Sequence, residues 1–205
     1  DDNFATIVGA VQQGRVVYGN LKKVILYLFA TSVDEVLVLL LALLSGYPLP
    51  LAAVQILWIN MVTSSTLGPA LAFGPAEDGL IQRRPRPPGE SLLSGFFVWR
   101  VVLVSVLMMT GALGLFLWEL SLGTGLETAR TMAVNAIVVA EMFYLVNSRH
   151  VLASVVNREG LTGNRVALWA IAACVPLQLA FTHLPVMQGI FGSTDLDAVE
   201  WLKVL

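Results

Sequence analysis

VILYLFATSVDEVLVLLLALL, residues 24–44, decides how the rest of the chain is read. It is long enough to cross a bilayer, which takes about 20 predominantly apolar residues, yet Asp34 and Glu35 stand side by side at its midpoint. Its fourteen Leu, Ile, Phe and Val residues contribute roughly 7 kcal/mol of insertion at about 0.5 each, against roughly 6 kcal/mol for two ionised acids at about 3 each. The segment inserts only marginally if both acids are charged. Protonation, a bound cation or packing inside a bundle is therefore expected to compensate them.

The composition agrees with a membrane environment. Of 205 residues, 57% are hydrophobic and 13% charged, where a soluble domain carries roughly 25% charged residues. The net charge of -2 says little about partners, and no basic patch points to nucleic acid. Cys174 is the single cysteine, which excludes a disulfide framework and reads as a small core residue. The opening DDNFATIVGAVQQGR has neither the basic nor the apolar region of a signal peptide and reads as an internal piece of a longer protein.

Five stretches approach a membrane span: roughly 24–44, 51–73, 96–118, 131–147 and 166–184. DLDAVEWLKVL, residues 195–205, reads as the opening of a truncated sixth span that starts at about residue 198. The expected fold is all-α, a polytopic transmembrane helix bundle. Before the first span, Phe4, Ile7, Val8, Val11, Val17 and Leu21 recur at helical spacing among polar residues, which predicts an amphipathic helix feeding into the membrane. With a cytoplasmic N-terminus, one side collects Arg15, Lys22, Lys23, Arg83, Arg84, Arg86, Arg100, Arg149, Arg158 and Arg165, and the other only Arg130 and Lys203. The positive-inside bias favours that orientation. The link PAEDGLIQRRPRPPGES, with its four prolines, cannot be helical throughout.

Polar residues recur at mid-depth. In QILWINMVTSSTLGP, Asn60, Thr63 and Ser64 stand at i, i+3 and i+4 and share one helix face. Pro69 cannot donate to the carbonyl of Ser65, so the helix is expected to loosen around Thr63–Thr66, as broken helices do where they supply oxygens to cations. The fourth span adds Glu141 near its midpoint. Each feature has a plainer reading: Asn60, Thr63 and Ser64 as interhelical contacts, Glu141 as a protonated hydrogen-bond donor, and Asp34 turned away, since it lies about 100° around the helix from Glu35. His150 and His183 sit at span ends and read as caps or headgroup contacts, and Pro176 as a kink. Hard oxygen donors without a His or Cys cluster favour an alkali or alkaline-earth cation, or a proton, over a soft metal.

Taken together, the DDNF opening with its amphipathic helix, the first span with a mid-membrane Glu, VQILWINMVT followed by GPALAFGP and RRPRPP, and TMAVNAIVVAEMFYLVNSR resemble the C-terminal membrane half of the P-type cation-transporting ATPases, the calcium-pump branch above all. The resemblance covers essentially the whole chain. It implies the end of a phosphorylation domain and a stalk helix over residues 1–23, and a transmembrane domain over 24–205 whose spans correspond to the family's fifth to ninth membrane helices, with the tenth cut short. By position, Glu35, Asn60, Thr63 and Glu141 match cation ligands of the calcium pumps. Ser32 stands where that branch has an Asn ligand, and Ser64 where it has an Asp that bridges both calcium sites. Loss of that carboxylate argues against carrying over a two-calcium stoichiometry. Asp34 occupies a position that is usually small, and would return a charge from a different angle.

The implied cargo is calcium first, with sodium or protons as alternatives, in a cycle driven by ATP and magnesium in the parent protein. The chain has no Asp-Lys-Thr-Gly phosphorylation motif and no P-loop, so it is not expected to hydrolyse ATP alone, and without the family's fourth membrane helix it is expected to hold only part of a site. Implied partners are the lipid bilayer and the upstream cytoplasmic and membrane domains of the same parent chain, in the plasma membrane of a prokaryote. Two other classes fit the residues: a passive or proton-coupled channel or carrier relaying protons through Glu35 and Glu141, and a non-transport membrane scaffold.

Overall fold

The computed structural model describes residues 4–75, 94–148 and 165–205. The proline-rich link with Arg83, Arg84 and Arg86, and the segment with Arg149, His150 and Arg158, lie outside them. Among the described residues the chain forms seven helices and no strand: α1 (Phe4–Leu44), α2 (Ala53–Ala72), α3 (Gly95–Ser121), α4 (Leu126–Ser148), α5 (Arg165–His183), α6 (Pro185–Phe191) and α7 (Ala198–Val204). The protein is an all-α, polytopic membrane bundle. In lipid every backbone group must be satisfied internally, which long helices achieve within one segment.

Among the described residues four helices are long and apolar enough to cross a membrane: α1 over Thr6–Leu44, α3, α4 and α5. α2 has the length, 20 residues, but Gln55, Asn60 and the hydroxyls from Thr63 to Thr66 dilute its hydropathy. It lies within the bundle instead, with Trp58, Ile59, Val62, Leu67 and Leu71 buried. A fifth crossing by α2 therefore rests on packing rather than hydropathy.

α1 runs unbroken for 41 residues, roughly 60 Å at 1.5 Å per residue and twice the hydrocarbon thickness. It stops at Gly46, whose φ of 72° only glycine adopts freely. There Tyr47 N–H bonds the Ala42 carbonyl and Gly46 N–H that of Leu43, at 3.1 and 3.2 Å, the paired closure of a Schellman turn. Gly123 (φ 81°) ends α3 in the same manner, so α1–α2 and α3–α4 are antiparallel hairpins.

The expected loosening of α2 before Pro69 is not found, and the helix continues to Ala72. Proline removes only the one N–H bond to the Ser65 carbonyl, and the helix carries that single gap; apart from it, the Thr63 hydroxyl donates to the Ile59 carbonyl (2.9 Å) and that of Thr66 to Val62. Asn20 of α1 closes the far end, its Nδ2 donating to the Ala72 and Gly74 carbonyls at 3.1 and 2.8 Å. α5 likewise passes through Pro176 as helix. The short α6 was not foreseen. Pro185 starts it, as proline suits the first helical position, and Gly192 (φ 62°) ends it.

Cross-links set the relative directions. Ser105 of α3 donates to the Ala30 carbonyl at 2.7 Å, and Leu26 packs with Phe97 and Val101, so α1 and α3 run parallel. Arg100 Nη2 reaches the Asn147 carbonyl at 3.0 Å, at the end of the bundle that also holds Asn20 and Ala72. At the opposite end, Arg130 Nε donates to the Leu49 carbonyl at 2.9 Å and Lys203 pairs with Glu119 at 2.7 Å. α4 therefore runs antiparallel to α1. It is the central helix, with twelve of its residues buried.

Candidate cation site

Glu35, the only acid of α1 that faces α2 in a hydrogen bond among the described residues, is 7% exposed. Asn60 Nδ2 donates to both of its oxygens, at 3.0 Å to Oε1 and 2.8 Å to Oε2, and to the Ile56 carbonyl at 3.0 Å. Asn60 reaches Glu35 because i and i+4 on a helix lie one above the other: the Ile56 carbonyl holds the amide against its own helix while the nitrogen points across. One turn further along α2, Thr63 is buried and pairs with the carboxyl of Glu141 on α4. Glu141 is 1% exposed, and its Oε2 has no partner. Glu35, Asn60, Thr63 and Glu141 thus form a chain of contacts across α1, α2 and α4.

The remaining sequence candidates divide. Asp34 is 0% exposed with neither carboxyl oxygen hydrogen-bonded. Ser32 and Ser64 are exposed, and Ser64 lines a groove of about 310 Å³ between α1 and α2, together with Val24, Leu28, Gly68 and Pro69. Neither serine is brought to Glu141. Asp34, Glu35 and Glu141 are near enough for their charges to act on one another. Among the described residues, however, no three His, Cys, Asp or Glu side chains gather tightly enough to hold a metal ion. The donors stand as adjacent pairs rather than as a closed cage.

Several neighbours escaped sequence reasoning. Tyr27 stacks on Tyr144 of α4, ring centres 5.7 Å apart, and both Thr66 and Glu141 lie beside Cys174 of α5. Tyr27, Thr31 and Asp34 stand at i, i+4 and i+7, a spacing that marks a single helix face and was available in the sequence. What that face meets was not.

A second polar network braces α2, α4 and α5 away from these acids. Trp58 Nε1 donates to Gln178 Oε1 (3.2 Å), Gln178 Nε2 to Asn135 Oδ1 (3.0 Å), and Asn135 Nδ2 to the Thr182 hydroxyl (3.1 Å) and the Thr131 carbonyl (2.9 Å). Trp58 also stacks on Phe181, ring centres 5.5 Å apart. With its partners present, such a network specifies one packing of the three helices. His183 falls at the end of its helix, as expected: its Nδ1 contacts Asp195 at 3.0 Å, and Trp201 Nε1 donates to His183 Nε2 at 3.2 Å.

Comparison with known proteins follows the same lines. A family model described as "Cation transporting ATPase, C-terminus" matches residues 48–205. The chain is 44% identical over 204 residues to the probable cation-transporting ATPase F of Mycobacterium tuberculosis, covering 100% of this chain and 22% of that protein. It is 33% identical over 206 residues to the calcium-transporting ATPase of Bacillus subtilis, covering 100% of this chain and 23% of the relative. With human calcium-transporting ATPase type 2C member 1 the identity is 29% over 205 residues, covering 100% of this chain and 22% of the relative. The chain spans less than a quarter of the length of these relatives.

Proposed function

We propose, from the premise that this chain belongs to the cation-transporting ATPases and carries their C-terminal membrane domain, that α1, α2 and α4 supply part of the intramembrane site through which an ATP-driven pump moves a hard cation, calcium in the first place. The observation that carries this reading is the run of contacts from Glu35 to Asn60 and from Thr63 to Glu141, which joins three helices through oxygen-bearing side chains inside an apolar bundle. An acid at that depth is costly to keep without a compensating charge, and carboxylate, amide and hydroxyl oxygens are the ligands calcium prefers. Two of the relatives are named calcium-transporting ATPases, which supports calcium ahead of sodium or protons.

In this reading residues 1–23 are the stalk by which a phosphorylation domain upstream acts on the membrane helices, and α1 transmits the movement as one rigid rod. ATP and magnesium act in that upstream part of the parent. The excess of Lys and Arg on one side supports a cytoplasmic N-terminus. A cation reaching Glu35 has to displace the Asn60 amide hydrogens from the carboxylate, after which the Asn60 carbonyl can turn in as a ligand.

The test is phosphorylation of the full-length protein by ATP as a function of added calcium. Glu35→Gln keeps the size of the side chain and removes its charge. Loss of calcium-dependent phosphorylation in this variant supports the reading, and phosphorylation that depends on calcium as in the wild type overturns it.

A further inference from the structure

The end of α5 is tied to α7 through one imidazole whose partners dictate where its proton sits. His183 Nδ1 stands 3.0 Å from Asp195 Oδ1, and Trp201 Nε1 donates to His183 Nε2 at 3.2 Å. An ionised carboxylate only accepts, so Nδ1 carries the hydrogen of the first contact. An indole N–H only donates, so Nε2 has to be bare. Both contacts together belong to a single species, the neutral imidazole with its hydrogen on Nδ1. A second proton is incompatible with the Trp201 contact, because two N–H groups would then face each other. The planes of the two rings differ by 34° and their centres are 6.1 Å apart, so Trp201 presents its positive edge rather than the negative face that would receive a cation.

The other charged groups at this end are engaged elsewhere. α2 and α6, both packed against α5, carry no titratable side chain. On α4, Arg130 is turned to the Leu49 carbonyl, and Glu127 lies in the first turn. Asp197 and Glu200 close the N-terminus of α7 on each other, and Lys203 pairs with Glu119 of α3. Asp195 is thus the charged group that faces the imidazole. The side chains of His183 and Asp195 are 40% and 73% exposed, so a proton reaches them from water.

Trp201 matters to more than this contact. It packs against the cluster of Leu115, Met132 and Val204 that seats α7 on α3 and α4, and with Leu205 it walls one end of a groove of about 300 Å³ between α4 and α5. We infer that His183 and Trp201 form a proton-released latch: neutral His183 clasps α7 to the end of α5, and protonation at Nε2 frees Trp201 while the contact with Asp195 remains. α7 then keeps its Lys203–Glu119 tie and its apolar contacts but loses its hold on α5, and the wall of the groove loosens. The latch lies at the end of the bundle opposite Asn20 and the N-terminal half of α1. With the cytoplasmic N-terminus of the pump reading, it senses pH on the non-cytoplasmic side. That assignment of side rests on the pump reading, whereas the latch does not.

The experiment follows amide hydrogen exchange over residues 193–205 of the purified full-length protein at about pH 7.5 and about pH 5.5, which bracket the range in which an imidazole changes charge, after correction for the intrinsic pH dependence of exchange. Wild type is expected to exchange about fivefold faster at the lower pH, the size of one net hydrogen bond. His183→Gln retains an acceptor for the indole and does not titrate, so its exchange should stay slow at both values. His183→Lys offers only donors, so its exchange should be fast at both. Trp201→Phe should lose the pH difference. No acceleration in the wild type, or an acceleration that persists in His183→Gln, overturns the latch, as does equal behaviour of the Gln and Lys variants. In vesicles sealed with the ATP-binding side outward, acidifying the interior alone should reproduce the change. The same change on acidifying the exterior alone, absent in His183→Gln, supports the latch and overturns the orientation taken from the pump reading.

Discussion

Asn60 meets Glu35 through its amide nitrogen: Nδ2 stands 3.0 Å from Oε1 and 2.8 Å from Oε2. The same nitrogen also donates to the Ile56 carbonyl at 3.0 Å, so the N–H aimed across is shared between the two carboxylate oxygens, and the contact that holds α1 to α2 competes with an incoming ion for them. Replacing the amide by a second acid removes the competitor and adds repulsion.

Asn60→Asp is therefore expected to lower the stability of the cation-free full-length protein by about 1.5–3 kcal/mol, the scale of a lost hydrogen bond to a charged group. Calcium should restore it, because a ligand that binds only the folded state stabilises by mass action. Thermal melts with and without calcium check this: the calcium-induced rise in Tm should exceed that of the wild type.

Thr63 touches Glu141 from α2 and donates to the Ile59 carbonyl at 2.9 Å. Thr63→Val keeps the shape and removes the oxygen. The calcium concentration for half-maximal phosphorylation should rise about tenfold, equivalent to about 1.4 kcal/mol, whereas Thr63→Ser should remain near wild type. Equal effects of Val and Ser would show that packing, not the hydroxyl, matters at this position.

Lys203 Nζ lies 2.7 Å from Glu119 Oε1, and the Glu119 side chain is 2% exposed. Its other oxygen accepts from the Thr124 hydroxyl at 2.9 Å. Lys203→Met leaves a buried carboxylate without its cation, expected to cost about 3–5 kcal/mol. The double variant Lys203→Met with Glu119→Gln should recover most of the loss. Denaturation midpoints of the three proteins in detergent decide it, and a double variant no better than the single one contradicts the buried-pair account.

Gln178 joins Trp58 to Asn135. Gln178→Leu strips a partner from each, and is expected to destabilise the bundle by about 1–3 kcal/mol, nearer the lower end because polar contacts between membrane helices average about 0.6 kcal/mol. The site acids are untouched, so the calcium dependence of phosphorylation at low temperature should hold while the thermal midpoint falls. A shifted calcium dependence would mean that this network also positions α2 against Glu35.

Much of the architecture was legible. Apolar runs of bilayer length located the long helices, α3 and α5 most nearly: 96–118 was read where α3 spans Gly95–Ser121 and 166–184 where α5 spans Arg165–His183, whereas α4, read as 131–147, begins at Leu126. The short turn SGYPLP forced a hairpin. Pro69 misled, because a proline costs a helix only one N–H bond and packing on both sides can hold the helix through it: Val62, Leu67, Ala70 and Leu71 are buried and Asn20 of another helix caps the end. α6 was missed because seven residues behind a proline, in a segment that is neither strongly apolar nor strongly periodic, carry too weak a pattern.

The polar residues were legible in depth but not in azimuth. Glu35, Asn60, Thr63 and Glu141 were singled out because charge and amide at mid-span are conspicuous against Leu and Val, and the structure links them pairwise. Ser32 and Ser64 sit at the same depth and turn outward, while Asp34, conspicuous for the same reason as Glu35, is buried with neither carboxyl oxygen hydrogen-bonded.

By itself, then, the chain determined that it is a helical membrane protein, roughly where its long helices run, and at what level their polar residues lie, because hydropathy and the 1.5 Å rise convert sequence position directly into depth. Only the tertiary structure decided which polar residues meet. That depends on the rotation and sliding of one helix against another, set by contacts such as Tyr27 on Tyr144 and Ser105 on the Ala30 carbonyl between residues far apart in the chain, and no local pattern encodes those angles.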